Sequence, residues 1–253
     1  MPHPFCLSGR TALVTGATSG LGYEMARALA QAGAQVWVNG RDAARAAAAA
    51  ERIATDLPAG GGARGLAFDV CDLSAAEAAL AAAGPIDILV NNAGARDRRG
   101  FLDLDTAAFA RLMEAMVLGP AHLCRLLAPA MIARGHGRII NVTSIAGPLA
   151  RAGDAGYTTA KGGLEALTRA LAAEFGPNGI TVNAIAPGYF ATAPNAAMAG
   201  DAQVGDWLAR RTALGRWGRP EEIAGAAVFL ASDAASYVTG HVLAIDGGYL
   251  AHF

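Results

Sequence analysis

The chain has 253 residues, enough to bury a full core, and parallel α/β folds of this length usually form one domain. Its formal charge of −1 removes the electrostatic basis for non-specific nucleic-acid binding. With 53% hydrophobic against 16% charged residues it is lean for a lone soluble subunit, a surplus that alanine-rich helices and subunit interfaces would absorb. Cys6, Cys71 and Cys124 are odd in number and lack CxxC spacing, and the five histidines are scattered, which argues against a metal site and for a reducing compartment.

In chain order, the opening MPHPFCLSGR has no signal-peptide core, and no segment is expected to reach the length of a membrane span, so cytoplasm is the expected location and no membrane partner is expected. Residues 11–15 read as a strand that runs directly into Gly16, Gly20 and Gly22, followed by a helical stretch over 21–32. Glycines so placed allow a tight turn, close backbone approach to a pyrophosphate and tight helix–strand packing, and the helix start then offers free N–H groups to phosphates. Thr18, Ser19 and Leu21 lie in the same turn.

A second strand, 35–39, ends in Val38-Asn39-Gly40-Arg41 with no acid at its tip. Arg41 would meet a 2′-phosphate there, so NADP is the expected cofactor, with NAD possible if Asp42 were the ribose ligand instead. Asp42 is read as the cap of an alanine-rich helix whose solvated face carries Arg45, Glu51 and Arg52. Residues 59–63 form a flexible glycine connection. Further strands are expected at 64–68, 86–91, 138–143, 181–185 and 242–245. These runs lack polar alternation, as strands do when helices cover both sheet faces, and their alternation with helices predicts a parallel, doubly wound α/β sheet. The stretch 189–215 carries no strand signal and many small residues, and is the candidate lid over a substrate, with Trp207 and Trp217 packing it against the body.

Tyr157 and Lys161 stand four residues apart, one helical turn, thirteen positions after Ser144. That spacing puts a phenol and an ammonium on one face, where the cation favours the phenolate. Joined to a phosphate-binding turn, the pair points to proton exchange coupled to hydride transfer.

The motifs TGATSGLG (15–22), FDV (68–70), NNAG (91–94), NVTS (141–144), YTTAK (157–161) and APGYFAT (186–192) stand in one order along the chain. Together they make it resemble the short-chain dehydrogenases/reductases over nearly its whole length. The resemblance implies a single-domain Rossmann-type fold and a homotetramer or homodimer. It puts Asp69 and Val70 at the adenine, Asn91, Ala93 and Gly94 beside the central strand and cofactor, and Pro187, Gly188, Phe190 and Thr192 near the nicotinamide. It also implies that Ser144 binds the substrate oxygen, that Tyr157 exchanges its proton, and that Lys161 holds the nicotinamide ribose and lowers the phenol pKa. AGARDRRGF (93–101), RWGRPEE (216–222), GAAVFLAS and GHVLAIDGG are similar to gluconate 5-dehydrogenase-like members.

A sugar-acid pocket needs a cation away from the hydride centre. Arg98 and Arg151 are the candidates, since an arginine fork grips a carboxylate with two parallel bonds. The family's active-site asparagine falls at Met116, whose thioether cannot donate a hydrogen bond, and Pro120 beside it removes a backbone N–H. The resulting expectation is an NADP(H)-dependent oxidoreductase acting on a carbonyl or secondary alcohol, a polyol or sugar acid. The alternatives are a 3-oxoacyl-thioester or other ketone reductase, or a weakly catalytic dinucleotide sensor.

Overall fold

Seven short aliphatic runs pair side by side, all parallel, as β1 (Thr11–Val14), β2 (Gln35–Gly40), β3 (Gly62–Ala67), β4 (Ile88–Asn91), β5 (Gly137–Val142), β6 (Ile180–Pro187) and β7 (Val242–Ile245). The computed structural model describes residues 3–55, 57 and 61–252. Each expected strand forms, with ends shifted by a residue or two. The sheet order is β3-β2-β1-β4-β5-β6-β7, so the chain changes direction between β1 and β4 and opens a crevice beyond the strand C-termini. The sheet is the doubly wound, Rossmann-type one.

One expectation needs correcting at the sheet edge. Gly62 and Ala63, read as loop, pair with Gln35 and Val36 and begin β3, because an edge strand can recruit residues with little side chain. Ala59 and Gly60 lie outside the described residues.

The helices are α1 (Gly20–Gln31), α2 (Ala43–Ala54), α3 (Leu73–Ala83), α4 (Thr106–Met113), α5 (Gly119–Arg134), α6 (Ala155–Phe175), α7 (Ala196–Ala199), α8 (Ala202–Arg211) and α9 (Ala224–Ala231). Aspartates start four of them: Asp42, Asp72, Asp105 and Asp201 accept the backbone N–H of Arg45, Ala75, Ala108 and Gln203 at 2.7–3.0 Å. Neighbouring strand residues feed opposite faces of the sheet. Val14 and Val90 pack with Met25, Leu29 and Ile53 on one side, while Leu13 and Leu89 pack with Leu123, Leu127 and Met131 on the other.

Helices α4 and α5 are one continuous run broken by a single wide π-type turn, Glu114–Leu118, closed by the N–H of Gly119 on the Glu114 carbonyl. Pro120 explains it: in a regular helix its ring would strike the carbonyl of Met116, and widening the turn relieves that contact. The run Thr106–Arg134 is long and apolar enough to cross a membrane, contrary to the sequence expectation. Its apolar stripe is used in the core, where Met116, Leu123, Cys124, Leu127, Ala128 and Met131 are buried.

Candidate active site

The glycine turn after β1 is held by backbone contacts. Gly16 and Gly20 both have φ near +60°, the left-handed region that side chains disfavour. A Cβ on Gly16 would come within 2.9 Å of the Ala93 Cα, so the turn and the NNAG loop pack backbone to backbone. Asn92 locks the two together, its Nδ2 donating to the carbonyls of Thr15 (2.9 Å) and Gly16 (3.0 Å). Asn39, at the tip of β2, accepts from the Gly16 N–H (3.3 Å) and donates to the Leu66 and Phe68 carbonyls, both at 3.1 Å.

On the other side the turn is open. A Cβ on Gly20 would meet only the Thr192 methyl, 3.9 Å away, and Ser19 makes no side-chain cap on α1. The result is a bare helix start facing a gap, with Thr192 across it. These residues fit a dinucleotide pyrophosphate. Arg41 is exposed at the end of β2 and makes no hydrogen bond or ion pair among the described residues, and its charge reaches Cys71 beside the Asp69–Val70 corner. Arg52 is exposed, as a solvated face requires, and its guanidinium lies over the Tyr23 ring (5.2 Å) and reaches the Thr18 carbonyl (3.4 Å).

Two cofactor candidates are used differently by the fold. The Asn91 side chain runs through the sheet rather than into the crevice: it donates to Asn141 Oδ1 (2.9 Å), and Asn141 donates to Thr168 on α6 (2.9 Å). The Phe190 ring is buried against Gly218. Gly188 is pressed against Asp246, where a Cβ would come within 2.7 Å of its Cα, while Pro187 ends β6 and accepts from the Ile145 N–H at 3.2 Å.

Ser144 follows β5, and its hydroxyl, which accepts the Ala146 N–H (3.1 Å), lies beside the Tyr157 phenol. Tyr157 and Lys161 do share a face of α6, with Lys161 Nζ 5.7 Å from the ring centroid. The ammonium itself is buried and donates to the Val142 carbonyl (2.7 Å), and burial pushes it down to about 8. Burial also raises the Tyr157 phenol above its ordinary value, the Ser144 hydroxyl and the Arg96 charge oppose that rise, and Asp154 adds to it. Arg96 therefore adds a second cation beside the Tyr157 ring, at 4.6 Å, to the Lys161 that the sequence pointed to.

Beyond these groups lies a cleft of about 680 Å³. Arg98 and Arg151 both line it: Arg98 Nη1 lies 3.8 Å from the Met198 sulfur, and the Arg151 charge reaches Tyr189. Sequence reasoning missed Arg96, Asp154, Arg211 and Tyr249, which line the same cleft. The clue to Arg96 was its place in the arginine-rich run after NNAG, but nothing in that run marks which guanidinium turns inward. Tyr189 sits among Trp207, Trp217 and Tyr249 at centroid distances of 5.5–5.6 Å, and Arg211 lies 5.0 Å from the Tyr249 ring centroid. Trp207 lines the cleft and Trp217 does not; Trp217 is packing, with a buried Nε1 that has no hydrogen-bond partner among the described residues. Met116 is fully buried with Leu112 and Ala160, its thioether 3.6 Å from where a Gly94 Cβ would stand.

Comparison with known proteins agrees with this geometry. A family pattern described as enoyl-(acyl carrier protein) reductase matches residues 16–250. Gluconate 5-dehydrogenase of Gluconobacter oxydans is 42% identical, covering 98% of each chain. Galactitol 2-dehydrogenase (L-tagatose-forming) of Cereibacter sphaeroides is 44% identical, covering 97% of this chain and 96% of its own. The crystal structure of a gluconate 5-dehydrogenase from Burkholderia cenocepacia, in complex with NADP and tartrate, superposes with a TM-score of 0.92 at 41% identity, covering 99% of this chain and 98% of its own.

Proposed function

The chain belongs to the short-chain dehydrogenase/reductase family, an NAD(P)-dependent oxidoreductase acting on CH–OH groups, and from that premise we propose that its substrate is a sugar acid or a related hydroxy acid, with NADP(H) as the preferred cofactor. The observation that carries this reading is the cleft itself, lined by Ser144, Arg96, Arg98 and Arg151, with the Tyr157 ring 4.6 Å from the Arg96 guanidinium. A carboxylate gripped by Arg98 and Arg151 would leave a carbon-borne hydroxyl facing Tyr157. The relatives named for gluconate, and the tartrate in the Burkholderia protein, support an acidic substrate.

Gly16, Thr18, Ser19, Gly20, Leu21 and Gly22 would hold the pyrophosphate; Asp69 and Val70 the adenine; Ala93, Gly94, Pro187, Gly188 and Thr192 the nicotinamide half. Arg41, unpaired at the strand tip, would take a 2′-phosphate. When bound, the dinucleotide supplies or accepts the hydride. Ser144 orients the substrate oxygen by hydrogen bonding, and Tyr157 gives its proton in reduction and takes one in oxidation. Lys161, now on the Val142 carbonyl, would turn to the ribose. Position 116 offers no hydrogen bond, so the proton leaves Tyr157 toward the open cleft rather than through that helix. The segment 189–215, with α7, α8 and the Tyr189 aromatic group, acts as the lid.

The test is a steady-state panel of gluconate, 5-ketogluconate, a neutral polyol such as galactitol and a 3-oxoacyl thioester, each with both cofactors. Preference for the acids with NADP(H) supports the reading. Thioester turnover alone would replace it, and cofactor binding without any turnover would make the protein a sensor.

A further inference from the structure

The cleft also holds an ion pair that the reading above leaves without a task. Arg96, in the loop after β4, reaches across to Asp154 at the start of α6. Its Nε donates to Oδ1 at 3.0 Å and its Nη2 to Oδ2, so both carboxylate oxygens are held. The Asp154 side chain is only 6% exposed, and although it stands at the helix N-cap it makes no capping bond. The other aspartate caps all accept a backbone N–H, so this carboxylate is committed to the arginine instead. The guanidinium so held lies 4.6 Å from the centroid of the Tyr157 ring. That is nearer than the Lys161 ammonium at 5.7 Å, whose hydrogen bond goes to a backbone carbonyl.

A cation over an aromatic face is attracted to its electron density, and more strongly once the phenol has become a phenolate. The fork-to-carboxylate grip decides where that cation stands, which a lone flexible arginine could not do. We propose that Arg96 and Asp154 form a positioning unit for Tyr157: the carboxylate pins the guanidinium over the ring, and the guanidinium provides the positive charge that eases proton departure from the phenol. The proposal rests on Tyr157 being the proton-exchanging group. The groups facing that phenol are Arg96 from the loop after β4, Ser144 from the loop after β5, and Asp154 and Lys161 from α6, with Arg98, Arg151 and Tyr189 farther along the cleft. The elements packed beneath it, α4 and the wide turn, present the apolar Leu112 and Met116.

The test titrates Tyr157 without any substrate. Tyrosinate absorbance is followed against pH in the full chain, and the Tyr157 component is isolated by subtracting the same curve for Tyr157→Phe. Arg96→Gln moves that component to higher pH by about one unit. Asp154→Asn also removes a carboxylate whose own charge raises the phenol, so it serves as a background: Arg96→Gln moves the component by less in Asp154→Asn than in the wild type, because the guanidinium there is released from its post. Arg96→Lys, which keeps the charge but not the fork, recovers part of the shift. Protection of each variant against thermal unfolding by NADP verifies that it is folded. An unmoved Tyr157 component in folded Arg96→Gln overturns the proposal. So does an equal Arg96→Gln shift in the wild-type and Asp154→Asn backgrounds, which would mean the guanidinium holds its place unaided. In parallel, the alkaline-rising limb of kcat/KM for alcohol oxidation is compared in the same variants. A wild-type chain that turns over no alcohol would sink the dehydrogenase reading while leaving the absorbance titration interpretable.

Discussion

The two ends of the crevice are built from different materials. Around the glycine turn, the shape is fixed by backbone: positive φ at Gly16 and Gly20, the close approach of Gly16 to Ala93, and amide side chains that tie one loop to the next. In the substrate cleft the shape is fixed by side chains, with Arg96 on Asp154, Arg98 against Met198, Arg151 near Tyr189 and an aromatic group around Tyr189. A backbone site can be encoded only by particular residues at particular positions. A side-chain site can be re-aimed by changing one long residue, and so can change substrate while the cofactor end stays as it is.

If the contrast holds, substitutions at the two ends fail differently. The largest effect is expected at their junction: Tyr157→Phe lowers kcat by about 10²–10⁴-fold while NADP binding, read by fluorescence titration, stays within a few-fold. At the backbone end, Gly16→Val adds a side chain at φ +60° against the Ala93 backbone. It should cost about 2–4 kcal/mol in chemical denaturation and abolish cofactor binding. Retained NADP affinity in that variant would break the comparison. Arg41→Ala is the exception at that end, a side-chain contact on a backbone cradle: KM for NADP should rise about 10–100-fold with little change for NAD. A smaller effect is expected in the cleft, where Arg98→Ala or Arg151→Ala raises KM for an acid substrate about tenfold and leaves a neutral polyol nearly unchanged.

The smallest effect concerns Lys161. Its folded pKa, about 8, lies below the ordinary 10.5, so folding disfavours its charged form. The folded state then binds fewer protons than the unfolded one between those two values, and stability rises with pH across that window. Lys161→Met removes the buried charge and should raise stability by about 1–2 kcal/mol below pH 8, after the loss of the Val142 bond, with the gain fading toward pH 10.5. Denaturant melts at two pH values check the sign.

The same contrast explains what the sequence made legible. Strand positions, the doubly wound order and the glycine turn follow from residue type and spacing, because β-branched runs and φ > 0 positions have few other solutions. Asp42 as a helix cap is of that kind too, since its role is settled within three residues. Arg96 is not. Its partner lies 58 residues away, and Asp97, Arg98, Arg99, Asp103 and Asp105 offer equivalent local chemistry. Asn91 is ambiguous for a related reason: a buried amide can serve a ligand or a neighbouring strand, and only the register of β4 on β5 sets it opposite Asn141. The wide turn was foreshadowed by Pro120, but a proline alone does not say whether a helix kinks, ends or takes in an extra residue.

That extra residue has a mechanical consequence. In evenly wound helix, Met116 and Leu123, seven apart, would fall within about 20° of one another around the axis. Here one belongs to the cluster beneath Tyr157 and the other to the core under the sheet. The local unwinding works like a universal joint on a drive shaft, letting two segments of a single rod engage surfaces that no straight rod could seat against together. Rewinding Glu114–Leu118 into regular helix with all its residues kept would swing everything downstream through about 100° and unseat one of the two.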